Sequence, residues 1–252
     1  MILCLECGNT CIKIGFVDDN FGIVDFLMIK TNQELTSDEY ALRLKSICNQ
    51  HPKIEGAIIS SVVPKVTNIL KLAINKIYGV DAKILNKNLK SKIAIKIDNP
   101  SELGSDFICT AVGALKKGYK PPFAIADYGT TTKISVVDQK GNFIGCTITA
   151  GIGTSMIALS HKTAQLFEVE FQTPNHIIGK NSKDSIQSGL LYGQAYMVDE
   201  LIRRIEQELG YKLNRILTGG YSKIIKNILD GFYFEEHLSI IGLSEIYRLN
   251  KD

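Results

Sequence analysis

The sequence predicts an α/β protein made of two duplicated lobes that face each other across a cleft, and three observations carry that expectation. The chain has 252 residues, 45% hydrophobic and 22% charged, an ordinary globular composition with enough apolar residues to build a core. Short apolar runs alternate along it with segments of helical spacing. One unit also recurs: Glu6-Cys7-Gly8-Asn9-Thr10 falls on Asp127-Tyr128-Gly129-Thr130-Thr131, an acid, a spacer, a glycine and two small polar residues each time. The strands after each copy align only with a one-residue shift. A duplicated hairpin unit with helices between its copies predicts two domains, 1–120 and 121–252. A cleft between such lobes is where a small ligand usually sits.

Residues 2–5, 11–17 and 22–29 read as three strands, the second placing Ile12, Ile14 and Phe16 on one face, with Asp18-Asp19-Asn20-Phe21 turning between the second and third. A helix over 37–50 follows, with Ser37 as cap, acids in its first turn and Tyr40, Leu44 and Ile47 at helical spacing. Residues 56–61 read as a buried strand and 64–77 as a helix opening at Pro64. Strands at 82–85 and 93–97 lead to a third helix after Asn99-Pro100, capped by Asn99 or Ser101. Gly104 falls in the first turns of that helix, where glycine costs about 1 kcal/mol relative to alanine, so a close approach to its backbone is expected.

The second half restarts with strands at 123–126, 133–137 and 143–149, the last two joined by a turn at 138–142. Helices are expected at 155–167, at 183–209 with Gly210 closing it, at 222–229 and at 239–249. Arg215-Ile216-Leu217-Thr218 reads as a strand that runs into the Gly219-Gly220 turn.

Several function classes are disfavoured. Lys plus Arg number 29 against 26 acids, and a net charge of +3 is too small and scattered for a nucleic-acid or membrane surface, so small solutes are the expected partners. No apolar run approaches the roughly 18 residues of a spanning helix and the start lacks a secretory signal, which points to the cytoplasm. In that reducing compartment the six cysteines are expected to be thiols. Cys4 and Cys7 differ in strand parity, and no second pair stands at zinc-ribbon spacing, so a metal or iron–sulfur site there is not expected. The four histidines, at 51, 161, 176 and 237, lack the partners of a hydrolytic triad.

Neither a P-loop nor Gly-x-Gly-x-x-Gly after a strand is present. The two hairpin tips can still aim backbone N–H groups and a hydroxyl at one anion. A single Gly-Asn-Thr is most simply a turn, whereas two copies, each preceded by a carboxylate able to approach Mg²⁺ or another cation, point to a phosphate cradle. Asp106, beside Gly104, admits two readings: a general base that takes a proton from a hydroxyl attacking a phosphoryl group, or an acid favoured by the helix N-terminus.

Taken in order, Glu6-Cys7-Gly8-Asn9-Thr10, Ser60-Ser61-Val62-Val63-Pro64, Asn99-Pro100 with Gly104-Ser105-Asp106, Asp127-Tyr128-Gly129-Thr130, Gly151-Ile152-Gly153, Thr163-Ala164, Gly179-Lys180-Asn181-Ser182, Gln187-Ser188-Gly189 and Thr218-Gly219-Gly220 make the chain resemble the type III pantothenate kinases nearly end to end. These belong to the superfamily of actin, hexokinase and acetate kinase folds. The resemblance implies two actin-like (ribonuclease H-like) lobes and a homodimer. It also implies transfer of the ATP γ-phosphate to pantothenate, the first step towards coenzyme A, with Mg²⁺ and a monovalent cation, K⁺ or NH₄⁺. By position it makes Asp106 the catalytic base and Asp127 the monovalent-cation ligand. Glu6, Gly8, Asn9, Thr10, Lys13, Gly129 and Thr130 would contact ATP, and Gly104, Ser105, Phe107 and Ser182 would line the pantothenate site. The chain departs from the family's usual pattern at Glu6, where Asp is usual, at Phe107, where Arg is usual, and at Ile97, where Tyr is common. Those departures leave a second expectation open, a catalytically weak or inactive paralogue that binds nucleotide as a regulatory or accessory protein.

Overall fold

The computed structural model describes residues 1–48, 53–86, 88–162 and 166–251. The end of the expected helix at 37–50, His51 and the Thr163-Ala164 pair lie outside the described residues, as does part of the expected helix at 155–167. The chain folds into two compact units. The first is Met1–Ile93, Asp98–Gly118 and Leu238–Asp252; the second is Ala94–Ile97 and Tyr119–His237. Compared with a division at residue 120, the C-terminal helix has returned to the first unit and residues 94–97 have crossed to the second.

In the first unit β1 (Ile2–Cys7), β2 (Cys11–Val17) and β3 (Ile23–Lys30) form an antiparallel meander, and β4 (Gly56–Ser61) and β5 (Lys83–Ile84) add in parallel, giving the order β3-β2-β1-β4-β5. One face of β1 and β2 (Leu3, Leu5, Cys7, Ile12, Ile14, Phe16) packs with Tyr40 and Leu44 of α1 (Ser37–Cys48) and with Val66, Leu70, Ala73 and Ile74 of α2 (Pro64–Tyr78). Pro64 starts α2 without a wasted N–H, and Gly79, at φ +67, ends it with its N–H on Asn75 O. The central strands are covered on both faces, which is why β1 reads as a continuous apolar run.

Glycines let α7 (Leu238–Leu249) lie almost in contact with the sheet and with α3 (Ser105–Lys116). A Cβ at Gly15 would lie 2.3 Å from Ile240 Cγ2, one at Gly113 2.0 Å from Leu238 O, and one at Gly242 1.9 Å from Cys109 O.

The second unit repeats the plan. β6 (Phe123–Tyr128), β7 (Thr131–Val137) and β8 (Phe143–Ala150) form the meander, with β9 (Asn214–Thr218) parallel to β6 and β10 (Phe232–Phe234) beyond it, in the order β10-β9-β6-β7-β8. Repetition extends to irregularities. Each meander shifts register near the end of its second strand, at Phe16/Val17 and at Val136/Val137. Each then turns on an aspartate whose Oδ1 accepts two backbone N–H groups, Asp18 from Asn20 and Gly22, Asp138 from Lys140 and Asn142. The one-residue shift between the copies lies at the hairpin tip, where three residues separate β1 from β2 but two separate β6 from β7.

Four local expectations are corrected. Residues 93–97 form no strand; Ile95 makes a single bridge to Phe143, anchored by Lys96 N–H to Phe143 O and Phe143 N–H to Ala94 O. After Asn99 the chain makes one short 3₁₀ turn, Pro100–Glu102, and α3 begins afresh at Ser105 with Gly104 as N-cap in extended conformation, so Gly104 bears no helix-interior penalty. The helix expected at 155–167 starts earlier, as α4 (Ile152–Lys162), and that at 222–229 is only α6 (Ser222–Ile225). α5 (Ser182–Leu209) ends at Gly210, φ +76, as its sequence requires. Among the described residues no helix is long and apolar enough to cross a membrane.

Candidate active site

In the first unit the site grows from three chain ends. Glu6, near the end of β1, lies opposite Lys13 in the antiparallel register and beside Ser60 in the parallel one. Lys13 Nζ stands 3.1 Å from Glu6 Oε2, and Ser239 Oγ, at the start of α7, donates a hydrogen bond to the same oxygen. Ser60 and Ser105 share a hydrogen bond at 2.7 Å, which ties the end of β4 to the start of α3, where Asp106 sits. The Asp106 carboxylate folds back over its own N-cap: a Cβ on Gly104 would lie 2.5 Å from Asp106 Oδ1. The close approach expected at Gly104 is therefore made by Asp106 itself.

Cys109 lies one turn further along α3 and is fully buried. Burial raises its thiol well above the ordinary value, and the Glu6 and Asp106 carboxylates raise it further. Cys7 is raised by burial and accepts stabilisation from Ser61 and Thr31; Cys11 is raised by burial and eased by Lys13. None is a poised nucleophile. Among the described residues, no group of three or more His, Cys, Asp and Glu side chains gathers as a metal cluster.

The hairpin tips are partly self-satisfied. Gly8 N–H donates to Cys11 O and Gly8 O accepts from Thr31 Oγ1, while Asn9 and Thr10 stand exposed at the tip. In the second unit Gly129 N–H donates to Thr131 O, and Thr130 O accepts from Gly151 N–H and Thr154 Oγ1. Gly151 has to be glycine, because a Cβ there would lie 2.3 Å from Gly129 O and 2.5 Å from Thr130 O. Asp127, 7% exposed, occupies the register position of Glu6, and Lys133 that of Lys13; Lys133 Nζ lies 3.0 Å from Asp127 Oδ2. Gly219, at φ +97, brings the loop after β9 so near that a Cβ would meet Asp127 Oδ1 at 2.5 Å.

The structure places Gly104, Ser105 and Phe107 with Asp106 in the first unit, and Ser182 in the second. Phe107 is only 7% exposed and its N–H bonds to Gly104 O. Ser182 opens α5 behind the cap Asn181, whose side chain accepts from Asp184 N–H. It lines a cavity of about 760 Å³ with Lys180, Asn181, Ser185, Leu159 and Leu190, all of the second unit. The sequence motif that contains Ser60 assigns it no role, and Lys133 and Ser239 stand outside the expected site. Lys133 could have been found as the repeat of Lys13; Ser239 carries no local signal.

The arrangement in the first unit is an anchored carboxylate, a second carboxylate at a helix start, and a turn of small residues. The family model for type III pantothenate kinase matches residues 2–204. The chain belongs to the type III pantothenate kinase family. A type III pantothenate kinase of Halalkalibacterium halodurans is 33% identical over 260 residues, covering 99% of this chain and all of the relative. Among solved structures, a Campylobacter jejuni protein described as a conserved Baf family transcriptional activator aligns with TM-score 0.63 at 15% identity, over 98% of both chains. The activator of 2-hydroxyisocaproyl-CoA dehydratase from Clostridium difficile, with bound ADPNP, aligns with TM-score 0.58 at 13% identity, over 99% of this chain and 94% of that one. At such identities the likeness concerns the fold, an actin-like α/β architecture.

Within this type III pantothenate kinase sequence the donor chemistry fits the ions the family implies. Mg²⁺ takes oxygen ligands and is commonly held through one or two carboxylates plus substrate phosphates, and Glu6 offers a carboxylate fixed at one oxygen. In the second unit the Asp127 carboxylate has Lys133 on Oδ2 and the Gly219 loop beside Oδ1.

Proposed function

We propose that this chain phosphorylates the primary hydroxyl of pantothenate with ATP, giving 4'-phosphopantothenate. One observation supports the assignment of the chemistry to residues: Ser60, beside Glu6 in the β1–β4 register, shares a hydrogen bond with Ser105, the neighbour of Asp106, which brings the strand end that carries an anchored carboxylate to the helix start that carries a candidate base within one compact unit. Asp106 accepts the proton of the attacking hydroxyl as its oxygen bonds to the γ-phosphorus and the bond to ADP breaks. Glu6 would hold Mg²⁺, which would supply positive charge beside the transferring phosphoryl group. The tip residues Gly8, Asn9, Thr10, Gly129 and Thr130 would contact the nucleotide, and Asp127 would hold K⁺ or NH₄⁺. Gly104, Ser105 and Ser182 are assigned to the acceptor, and two copies of the chain form a homodimer.

The net charge of +3 supplies little attraction for a polyanionic nucleotide, so this reading rests its binding on backbone donors and bound cations. The test is a coupled assay of purified protein with Mg-ATP, K⁺ and pantothenate. Turnover that disappears in Asp106→Asn is the expected result. Absence of turnover at high ATP, persisting after Glu6→Asp and Phe107→Arg are combined, overturns it; recovery in that double variant identifies the weak paralogue instead.

A further inference from the structure

The two hairpins differ at one informative point. Glu6 and Asp127 occupy the same register position opposite Lys13 and Lys133, at nearly the same lysine distance, 3.1 and 3.0 Å, yet Glu6 is longer by one methylene. Ser239 Oγ, on a helix more than two hundred positions downstream, donates a hydrogen bond to Glu6 Oε2. Lys13 and Ser239 converge on that one oxygen, so the carboxylate is fixed at Oε2.

Ser239 has little freedom to move. It is 5% exposed, and the residues on both sides of it are pinned: Leu238 O lies against Gly113 of α3, and the Ile240 side chain fills the notch left by Gly15 on β2. A side chain at either glycine would displace the helix carrying Ser239. The hydroxyl is thus held by close-packed backbone, the condition under which a single hydrogen bond can orient a charged group.

We propose that Ser239 is a positioning residue that sets the longer Glu6 carboxylate for the Mg²⁺–nucleotide complex, compensating for its extra methylene. This rests on the reading that Glu6 faces the metal–nucleotide complex. The experiment measures calorimetric binding of a non-hydrolysable ATP analogue with Mg²⁺ and with chelator, together with the Mg²⁺ dependence of turnover. The proteins are wild type, Ser239→Ala, Ser239→Thr, Glu6→Asp, Glu6→Ala and the Glu6→Asp/Ser239→Ala double variant. Loss of a hydrogen bond to a charged group predicts roughly 10-fold weaker Mg²⁺-dependent binding and a matching rise in the Mg²⁺ needed for half-maximal rate in Ser239→Ala. Binding in chelator should not change, kcat should stay within about twofold, and Ser239→Thr should restore affinity. In the Glu6→Asp background the carboxylate no longer reaches Ser239, so adding Ser239→Ala should cost less than about twofold.

Additive effects in the double variant, or equal losses with and without Mg²⁺, overturn the proposal and leave Ser239 a structural residue. Unchanged binding in Glu6→Ala overturns instead the reading of Glu6 on which it rests. If Ser239→Ala folds poorly, Ser239→Cys, nearly isosteric with a weak donor, makes the same comparison.

Discussion

Lys133 Nζ lies 3.0 Å from Asp127 Oδ2 across the β6–β7 ladder, with each side chain only about a tenth exposed. A pair this enclosed is costly to break on one side, because the survivor loses this counter-charge in a place largely shut off from water. Asp127→Asn should destabilise the protein by about 3 kcal/mol in urea denaturation. Lys133→Met placed in the same background should recover most of that loss. If Asp127 also holds the monovalent cation, both variants lose K⁺ stimulation of turnover whatever their stability.

Asp106 predicts a different signature. General-base removal costs about 10²- to 10⁴-fold in rate. Asp106→Asn should lose kcat on that scale while Mg-nucleotide affinity stays within about twofold. Gly104→Ala should resemble it in weaker form, since the new methyl would stand 2.5 Å from Asp106 Oδ1 and push the carboxylate aside. Steady-state kinetics with parallel calorimetry separates the two effects, and a Gly104→Ala enzyme of wild-type kcat contradicts the geometry.

The joint between α3 and α7 is backbone against backbone. A Cβ at Gly242 would sit 1.9 Å from Cys109 O, and one at Gly113 2.0 Å from Leu238 O. Neither oxygen can rotate away, so Gly242→Ala and Gly113→Ala should each cost at least about 1–3 kcal/mol and lower the melting temperature by several degrees. Gly193, on the exposed side of α5 with nothing near its would-be Cβ, is the control. There alanine should stabilise by up to about 1 kcal/mol.

Glu206 gives the pH prediction. It is 4% exposed, and burial alone would raise its carboxyl, but Lys212 and Arg215 and the Leu213 N–H together hold it below the ordinary 4.5. The folded chain therefore binds this proton less readily than the unfolded chain. The stabilisation is complete above pH 4.5 and is lost as pH falls through the lowered folded value. Glu206→Gln should be less stable than wild type at neutral pH, and urea denaturation should show the difference narrowing below about pH 4.5.

Much of the plan was legible in the sequence because it is written in local chemistry. The apolar runs of β1 and β4, Pro64 and Gly79 at the ends of α2, and Gly210 after α5 each set their element by short-range rules. The acid-spacer-Gly unit marked both hairpins. Weak segments escaped: β10 has three residues, too few for a period, and residues 94–97 alternate like a strand yet make one bridge. The sequence puts Gly104 within the first turns of a helix, because nothing local distinguishes a short 3₁₀ turn followed by a fresh N-cap from one continuous helix.

By itself, the sequence determined the duplicated α/β plan, the family, and Glu6, Asp106 and Asp127 as the candidate acids, since residue type and spacing along the chain suffice for those. Only the tertiary structure decided which side chains meet them. That the C-terminal helix returns to the first unit, that Gly15 and Gly113 let it close, and that Ser239 then reaches Glu6 follow from contacts between segments far apart in sequence. Such contacts are set by packing of complementary surfaces, which leaves no periodic signal at either residue.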